Sequence, residues 1–187
     1  MKQIKKSSVL APLAAGMIVL FFAMSATAET AAEIDQDVDV ALAKLYSGSP
    51  AAKALSKEAK GVLVFPNVIK GGLILGGQYG VGALLVNGKT QGYYSTAAAS
   101  YGLQVGAQSF GYAMIFMKDT ALDYLETRAG WEVGVGPSVV VVDDGLAHSM
   151  TTSTAQDDIY VFFFSQTGLM AGLGVQGSKI TQFQPDK

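Results

Sequence analysis

The sequence predicts an α+β fold: two short N-terminal helices followed by a glycine-rich, strongly bent or barrel-like antiparallel sheet. Three observations support this. Apolar residues recur with a helical period before Gly61, short apolar strand-like segments follow it, and all but two of the 22 glycines lie between Gly61 and Gly177. Glycine inside a strand marks a bulge, a sharp bend or the close approach of another backbone. A curved sheet would need glycines distributed in this way.

The two predicted helices span about 33–46 and 50–60. Apolar residues of the first recur at intervals of four, four and three, which places them on one face: Ile34, Val38, Leu42 and Leu45. Ser49 and Pro50 form a typical N-cap and first-turn pair for the second helix, and Gly61 is expected to end it.

Strand-like segments follow at short intervals, at about 62–65, 72–77, 80–86, 91–96, 101–108, 110–117, 132–135, 138–142, 159–165, 169–176 and 179–183. Asn87-Gly88 indicates a tight hairpin, because both residue types tolerate positive φ. Asp119 is expected to cap a short helix over 119–127. Segments 139–142 and 159–164 are apolar at every position, which indicates strands buried on both faces.

Residues 1–28 are expected to be a cleaved secretory signal peptide, followed by a single domain over 29–187. Three lysines within the first six residues precede an uncharged apolar run of 16 residues, and Ala26-Thr27-Ala28 has the small residues of a cleavage site. The apolar run is shorter than the roughly 20 residues that a membrane-spanning helix needs. We therefore expect a periplasmic protein, either free or peripheral to a membrane.

Composition excludes several classes of function. Loss of the signal would leave 10 of the 13 Lys and Arg against 15 Asp and Glu, a net charge of −5, which argues against a nucleic-acid partner. The absence of cysteine excludes disulfides, thiolate metal sites and thiol nucleophiles.

No motif forms a credible catalytic set. Gly172–Gly177 matches G-x-G-x-x-G, but strand-like alternation follows it instead of the helix that a dinucleotide site requires. His148, the only histidine, lies in a turn-like segment, and the acidic pairs at 143–144 and 157–158 lack the spacing of a calcium loop. We expect a protein that is not an enzyme and has no metal and no cofactor.

Lysines cluster in an otherwise acidic chain. Residues 42–70 hold five lysines against Glu58 alone, and Lys53, Lys57 and Lys60 recur at i, i+4 and i+7 on the predicted second helix. Such a group is most often a solvated helix face. The alternative is a small cationic surface for anionic lipid headgroups.

The segment Ala59–Gly72 (AKGVLVFPNVIKGG) resembles the opening of the SYLF domain family. The resemblance continues in order over about 41–183, through Gly76–Gly82, Gly102–Gln108, the helix around Ala121 and the glycine-rich Ser165–Gly177. It implies a lipid-binding domain, since eukaryotic members bind phosphoinositide-rich membranes and fungal members also bind actin. Lys60 and Lys70 match basic positions of the opening motif.

Two positions depart from the family pattern. Gln166 stands where members often carry a basic residue, and Tyr94-Ser95 stands where they often show Trp-Ser. The missing charge favours a less charged or more weakly bound ligand than a phosphoinositide.

We therefore expect a non-enzymatic periplasmic domain that binds lipid or a membrane surface. The lysines at 53, 57, 60 and 70 would meet anionic headgroups, or the bent sheet would enclose an acyl chain beside Tyr79, Tyr93 and Phe110. Actin binding is not expected of an exported protein, and the sequence leaves the oligomeric state open. Two alternatives remain: a structural or protein-interaction module of the cell envelope, and a small outer-membrane barrel.

Overall fold

The computed structural model describes residues 29–73, 75–128, 130–132, 136–142 and 155–186. The expected signal peptide, His148 and the acidic pair at 143–144 lie outside the described residues. The elements are helices α1 (Ala31–Gly48), α2 (Pro50–Glu58) and α3 (Asp119–Thr127), and strands β1 (Gly61–Gly72), β2 (Leu75–Val86), β3 (Lys89–Phe116), β4 (Trp131–Glu132), β5 (Val139–Val142) and β6 (Ile159–Phe183).

Both predicted N-terminal helices are confirmed. Thr30 caps α1 in a capping box with Glu33, and Ser49 caps α2, whose first residue is Pro50. The buried face of α1 differs slightly from the predicted one, because Ala41 is buried there while Leu42 is only partly buried: Ile34, Val38, Ala41 and Leu45. The helix α2 ends at Glu58, two residues earlier than expected.

The strands are fewer and longer than predicted. β3 has 28 residues and β6 has 25, and each covers segments that the sequence divides at its glycines and small residues. These residues bend the strands, and the pairing of β3 with β6 continues along them apart from one register shift, between Ser109 and Gly111. The Asn87-Gly88 turn is as predicted, with φ of 52° and 72°, the positive values that a type I′ hairpin requires.

The two long strands each serve twice in the sheet. The first part of β3, 89–101, pairs with β2, while its second part, 106–116, pairs with β1, and β6 pairs with β3 along both parts. The order across the sheet is therefore β5, β6, β3, β1, β2, β3, β6 and β4, which makes eight segments from the six strands of the described residues. β5 pairs with β6 in parallel, so the sheet is mixed instead of purely antiparallel.

One hydrogen bond shows the direction in which the sheet curls. The hydroxyl of Tyr112, in the second part of β3, donates to Oγ1 of Thr96, in the first part, over 2.9 Å. The two parts are separated by β1 and β2, which in a flat sheet would hold them about 14 Å apart. The sheet therefore forms a strongly curled half-barrel whose concave face carries both side chains, which confirms the predicted α+β fold with a bent sheet.

Each face of the sheet has its own core. On the convex face, α1 and α2 cover alternate residues of β1, β3 and β6, such as Val64, Ile115 and Phe162. On the concave face, α3 and Trp131 pack against the intervening residues, such as Phe65 and Phe116. The predicted burial on both faces is confirmed for Ile159–Phe162. The prediction is wrong for Phe163, which is 42% exposed, and for β5, where Val141 is 57% exposed.

The start of α3 differs from the prediction. Its N-cap is Lys118, which makes no side-chain capping bond, and Asp119 is the first helical residue. The carboxylate of Asp119 instead pairs with Lys60 Nζ at 3.2 Å. Leu122 and Leu125 of α3 are buried in the core on the concave face.

A second ion pair joins three elements beside α3. Lys118 Nζ lies 2.7 Å from Asp158 Oδ1, and the backbone N–H of Ser138 donates to Asp158 Oδ2 over 2.8 Å. These bonds, the one from Lys118 first, lower the pKa of Asp158, because they stabilise its carboxylate. The start of β6 is thereby tied to the chain entering α3 and β5.

Candidate functional site

A cavity of about 310 Å³ lies on the concave face of the sheet. Most of its wall is apolar and comes from β3, β5 and β6: Phe110, Tyr112, Met114, Val139, Val141, Val161 and Phe163. The wall follows from strand periodicity, since side chains two residues apart point to the same face. Cross-strand pairing places Met114 beside Val161 and Tyr112 beside Phe163, which completes a continuous apolar surface.

Aromatic rings form one side of the cavity. The ring of Phe163 lies 5.6 Å from that of Phe110 and 5.7 Å from that of Tyr112, both in tilted contact. Phe110 is buried, whereas Phe163 is 42% exposed and borders the opening. Burial raises the pKa of Tyr112, and its hydroxyl is already bonded to Thr96. This phenol therefore remains protonated and serves as part of the wall.

Polar side chains form a row at the other end of the cavity. Lys70 of β1 pairs in register with Gln78 of β2 on one side and with Gln108 of β3 on the other, and all three line the cavity. Ser178 of β6 joins them. Gln78 is buried. Among the described lining residues Lys70 is the only charged one, so this end of the cavity favours an acidic or strongly polar group.

A second cavity, of about 340 Å³, lies on the convex side between α1 and the β1–β2 pair. Its lining includes Ile34, Ile69 and Tyr79, together with the carboxylates of Glu29 and Asp37. Partial burial, followed by repulsion from Asp37 and Glu33, raises the pKa of Glu29. Two nearby carboxylates make this cavity unfavourable for an anionic ligand.

The structure separates the three aromatic residues that the sequence suggests for a ligand pocket. Phe110 lines the concave cavity, and Tyr79 lines the convex one. Tyr93 lines neither of the two, because its hydroxyl donates to Asp35 Oδ2 at 3.1 Å. Thr90 donates to the other oxygen of Asp35 at 2.9 Å, so Tyr93 and Thr90 together fasten α1 to β3.

The four suggested lysines are also not brought together. Lys53 and Lys57 are exposed on α2. Lys60 lies beyond the end of that helix, where the helical spacing no longer applies, and pairs with Asp119. Lys70 lies on the concave side of β1, in the polar row of the cavity.

Sequence reasoning missed Gln78 and Gln108. They lie 30 residues apart and become neighbours of Lys70 only through the register of three strands. In the sequence, each of these glutamines is only a polar residue at an alternating position of a glycine-rich strand, which is a weak indication of a binding site.

Two further observations concern the described residues. No group of three or more His, Asp or Glu side chains there is placed to hold a metal ion. None of the helices in this part of the chain is both long and apolar enough to cross a membrane.

Comparison with known families supports the resemblance read from the sequence. Residues 97–185 match the Ysc84 family, described as Las17-binding protein actin regulator, which corresponds to the SYLF domain. The matched part contains most of β3, α3 and the strands that follow, and so includes most of the apolar cavity wall. No curated protein matches the chain.

Proposed function

We propose that this chain, which carries a SYLF-type domain over residues 97–185, is an exported, non-enzymatic protein that binds a lipid in its concave cavity. The observation that carries the proposal is the division of the cavity into an apolar wall and a polar row, in which Lys70 is the one cation among the described lining residues. An amphiphile with an apolar chain and an acidic head matches this division.

The size of the cavity favours one acyl chain. Ligand pockets range from about 300 to 1,000 Å³, and this cavity, at about 310 Å³, lies at the lower limit. Phe163 and Val141, both substantially exposed, border an opening through which the rest of a larger lipid would extend.

Energetic magnitudes favour the cavity over the lysine surface. A buried methylene contributes about 0.8 kcal/mol, so burying about eight carbons contributes about 6 kcal/mol. The exposed Lys53 and Lys57 would together contribute about 2 kcal/mol beside an anionic membrane. The two sites are not exclusive, but the cavity supplies the larger share of the binding energy.

The family name refers to Las17 and to actin regulation. We do not extend either partner to this chain, because the expected signal peptide would carry it out of the compartment that holds actin. A protein-interaction role in the cell envelope is the outcome that remains if no lipid is bound.

Export has a direct test. We expect the mature protein to begin at Glu29, since Ala26-Thr27-Ala28 has small residues at the positions that a signal peptidase reads. N-terminal sequencing of the protein recovered from an osmotic-shock fraction measures this. A protein that keeps its first lysines, or stays with the cytoplasm, would exclude the export proposal.

Lipid binding is tested by native mass spectrometry of the protein purified from its own cell envelope. The wild-type protein should carry one lipid that dissociates on activation. Val139→Trp should reduce the bound fraction at least tenfold, because Val139 is half-buried in the cavity wall, and the indole would occupy the space of the acyl chain. Lys70→Gln should lower retention of an acidic lipid about tenfold.

The matched control is Val40→Trp. Val40 is 65% exposed on α1, so the same change there should leave the bound lipid unaltered. A wild-type protein without lipid, or a Val139→Trp protein that is folded and fully loaded, would refute the cavity proposal.

A further inference from the structure

Large apolar side chains are exposed at one end of the sheet. Among the described residues, eight such side chains are exposed, and five of them lie at this end: Ile69 (62%), Leu73 (65%), Leu75 (71%), Tyr79 (59%) and Val105 (63%). We call these five residues the tip surface. Two more of the eight, Val141 and Phe163, border the concave cavity, so the exposure is concentrated instead of scattered.

The tip surface is formed where β1 leads into β2. Ile69 pairs with Tyr79, and strand periodicity places both on the convex face, with Leu73 and Leu75 at the end of the hairpin. Exposed Ala97, Ala99 and Ala107 continue the face on β3. The helix α1 covers this face only as far as the cavity that Ile69 and Tyr79 share with Ile34.

We propose that the tip surface inserts into the interface of a lipid bilayer. Its described side chains carry no charge, so none has to be neutralised in an apolar medium. Between Ile69 and Gly72, β1 is paired on both sides, with β2 and with β3, which satisfies its backbone without water. Tyr79 supplies an aromatic ring with a polar end, as found at membrane interfaces.

A second copy of the chain fits this surface less well. A stable protein interface takes about 800 Å² and 20–30 residues from each partner. Five large side chains with three alanines around them are well short of that number. Binding to the interface of a bilayer needs no such minimum area, because each inserted apolar side chain contributes separately to the free energy of binding.

The strands of the tip surface also carry the polar row of the cavity. Lys70 and Gln78 are the chain neighbours of Ile69 and Tyr79 and point to the opposite face. Insertion would therefore bring the polar end of the cavity to the level of the headgroups. That the cavity carries a lipid in this arrangement rests on the proposed function, whereas insertion of the tip surface into the bilayer does not.

Docking is tested by flotation of the purified mature chain with vesicles of neutral phosphatidylcholine, and with vesicles that also contain anionic phosphatidylglycerol. Wild-type protein should bind both, with little change between about 0.1 and about 1 M salt, a range over which the Debye length shortens from about 10 to about 3 Å. Leu73→Ser combined with Leu75→Ser should reduce partitioning about a hundredfold, because each leucine contributes roughly tenfold.

Val40→Ser is the matched control, since Val40 is as exposed as the two leucines but lies on α1, and it should leave partitioning unchanged. Binding that requires anionic lipid and disappears in salt, or that survives both serine changes, would overturn the proposal. A dimer that is detected by light scattering and that the serine changes dissociate would also overturn it.

Native mass spectrometry separates the two proposals. Vesicle binding without a carried lipid refutes the cavity proposal alone, and a carried lipid without vesicle binding refutes docking alone.

Discussion

Gly82→Ala is expected to abolish the folded domain. Gly82 lies in β2 opposite a bulge of β1, where the pairing register shifts between Val64 and Asn67. A Cβ atom on Gly82 would overlap the carbonyl oxygen of Val64 and lie 3.0 Å from Phe65 Cα. Both obstacles are backbone atoms of a strand held by partners on both sides, so neither can move aside as a flexible side chain would.

For Gly82→Ala, the expected loss of unfolding free energy exceeds the roughly 1–3 kcal/mol that is usual for an overpacked core. The total stability of such a domain is about 5–15 kcal/mol. Circular dichroism and the yield of soluble protein measure the effect. Gly48→Ala is the control: Gly48 ends α1 with no atom within 4 Å of its added Cβ, and this variant should match the wild type to within about 0.5 kcal/mol. A Gly82→Ala protein with an unchanged melting temperature would show that the bulge is not held as described.

Trp131→Ala should lower the free energy of unfolding by about 3–5 kcal/mol. Trp131 is 2% exposed, and its ring lies 6.3 Å from that of Phe116 and 6.4 Å from that of Tyr124. It thus joins α3 to β3, while its backbone pairs with Ile180 of β6. Since β4 has only two residues, this side chain is its main attachment to the core.

Urea denaturation followed by circular dichroism measures this loss, because the variant removes the only tryptophan and with it the fluorescence signal. Glu132→Ala, at the exposed neighbouring position of the same strand, should change stability by no more than about 0.5 kcal/mol. A loss below about 1 kcal/mol for Trp131→Ala would mean that α3 is held without it.

Local chemistry was enough to predict the two N-terminal helices and the tight turn. Ser49-Pro50 and Asn87-Gly88 restrict their own backbone conformation, so each specifies its element without help from distant residues. The helix spacing was misleading at two positions. Leu42 is only partly buried while Ala41 faces the core, and Lys60 lies beyond the end of α2 at Glu58, which nothing local marks.

The long strands and the cavity could not be predicted in the same way. β3 contains so many alanines, serines and glycines that its alternation is lost, although its backbone pairing continues to both sides. The polar row of Lys70, Gln78 and Gln108 depends on register between strands, and one residue of slip would turn a side chain to the other face. The spacing of the α2 lysines can be seen in the sequence, whereas the register between strands cannot.

The pairing of β3 with β6 has a consequence for how the chain folds. Phe116 and Ile159 are 43 residues apart in sequence, and Tyr93 and Phe183 are 90 apart, yet both pairs are direct neighbours in the sheet. Contacts between residues so distant in sequence require the closure of a long loop, which costs conformational entropy before the contacts stabilise the fold. They therefore form slowly. Until β6 is available, β3 has an unpaired edge, which is prone to association with other chains. A chain that crosses a membrane from its N-terminus would complete this sheet only after its last strand has emerged, and a holding chaperone would protect it during that interval.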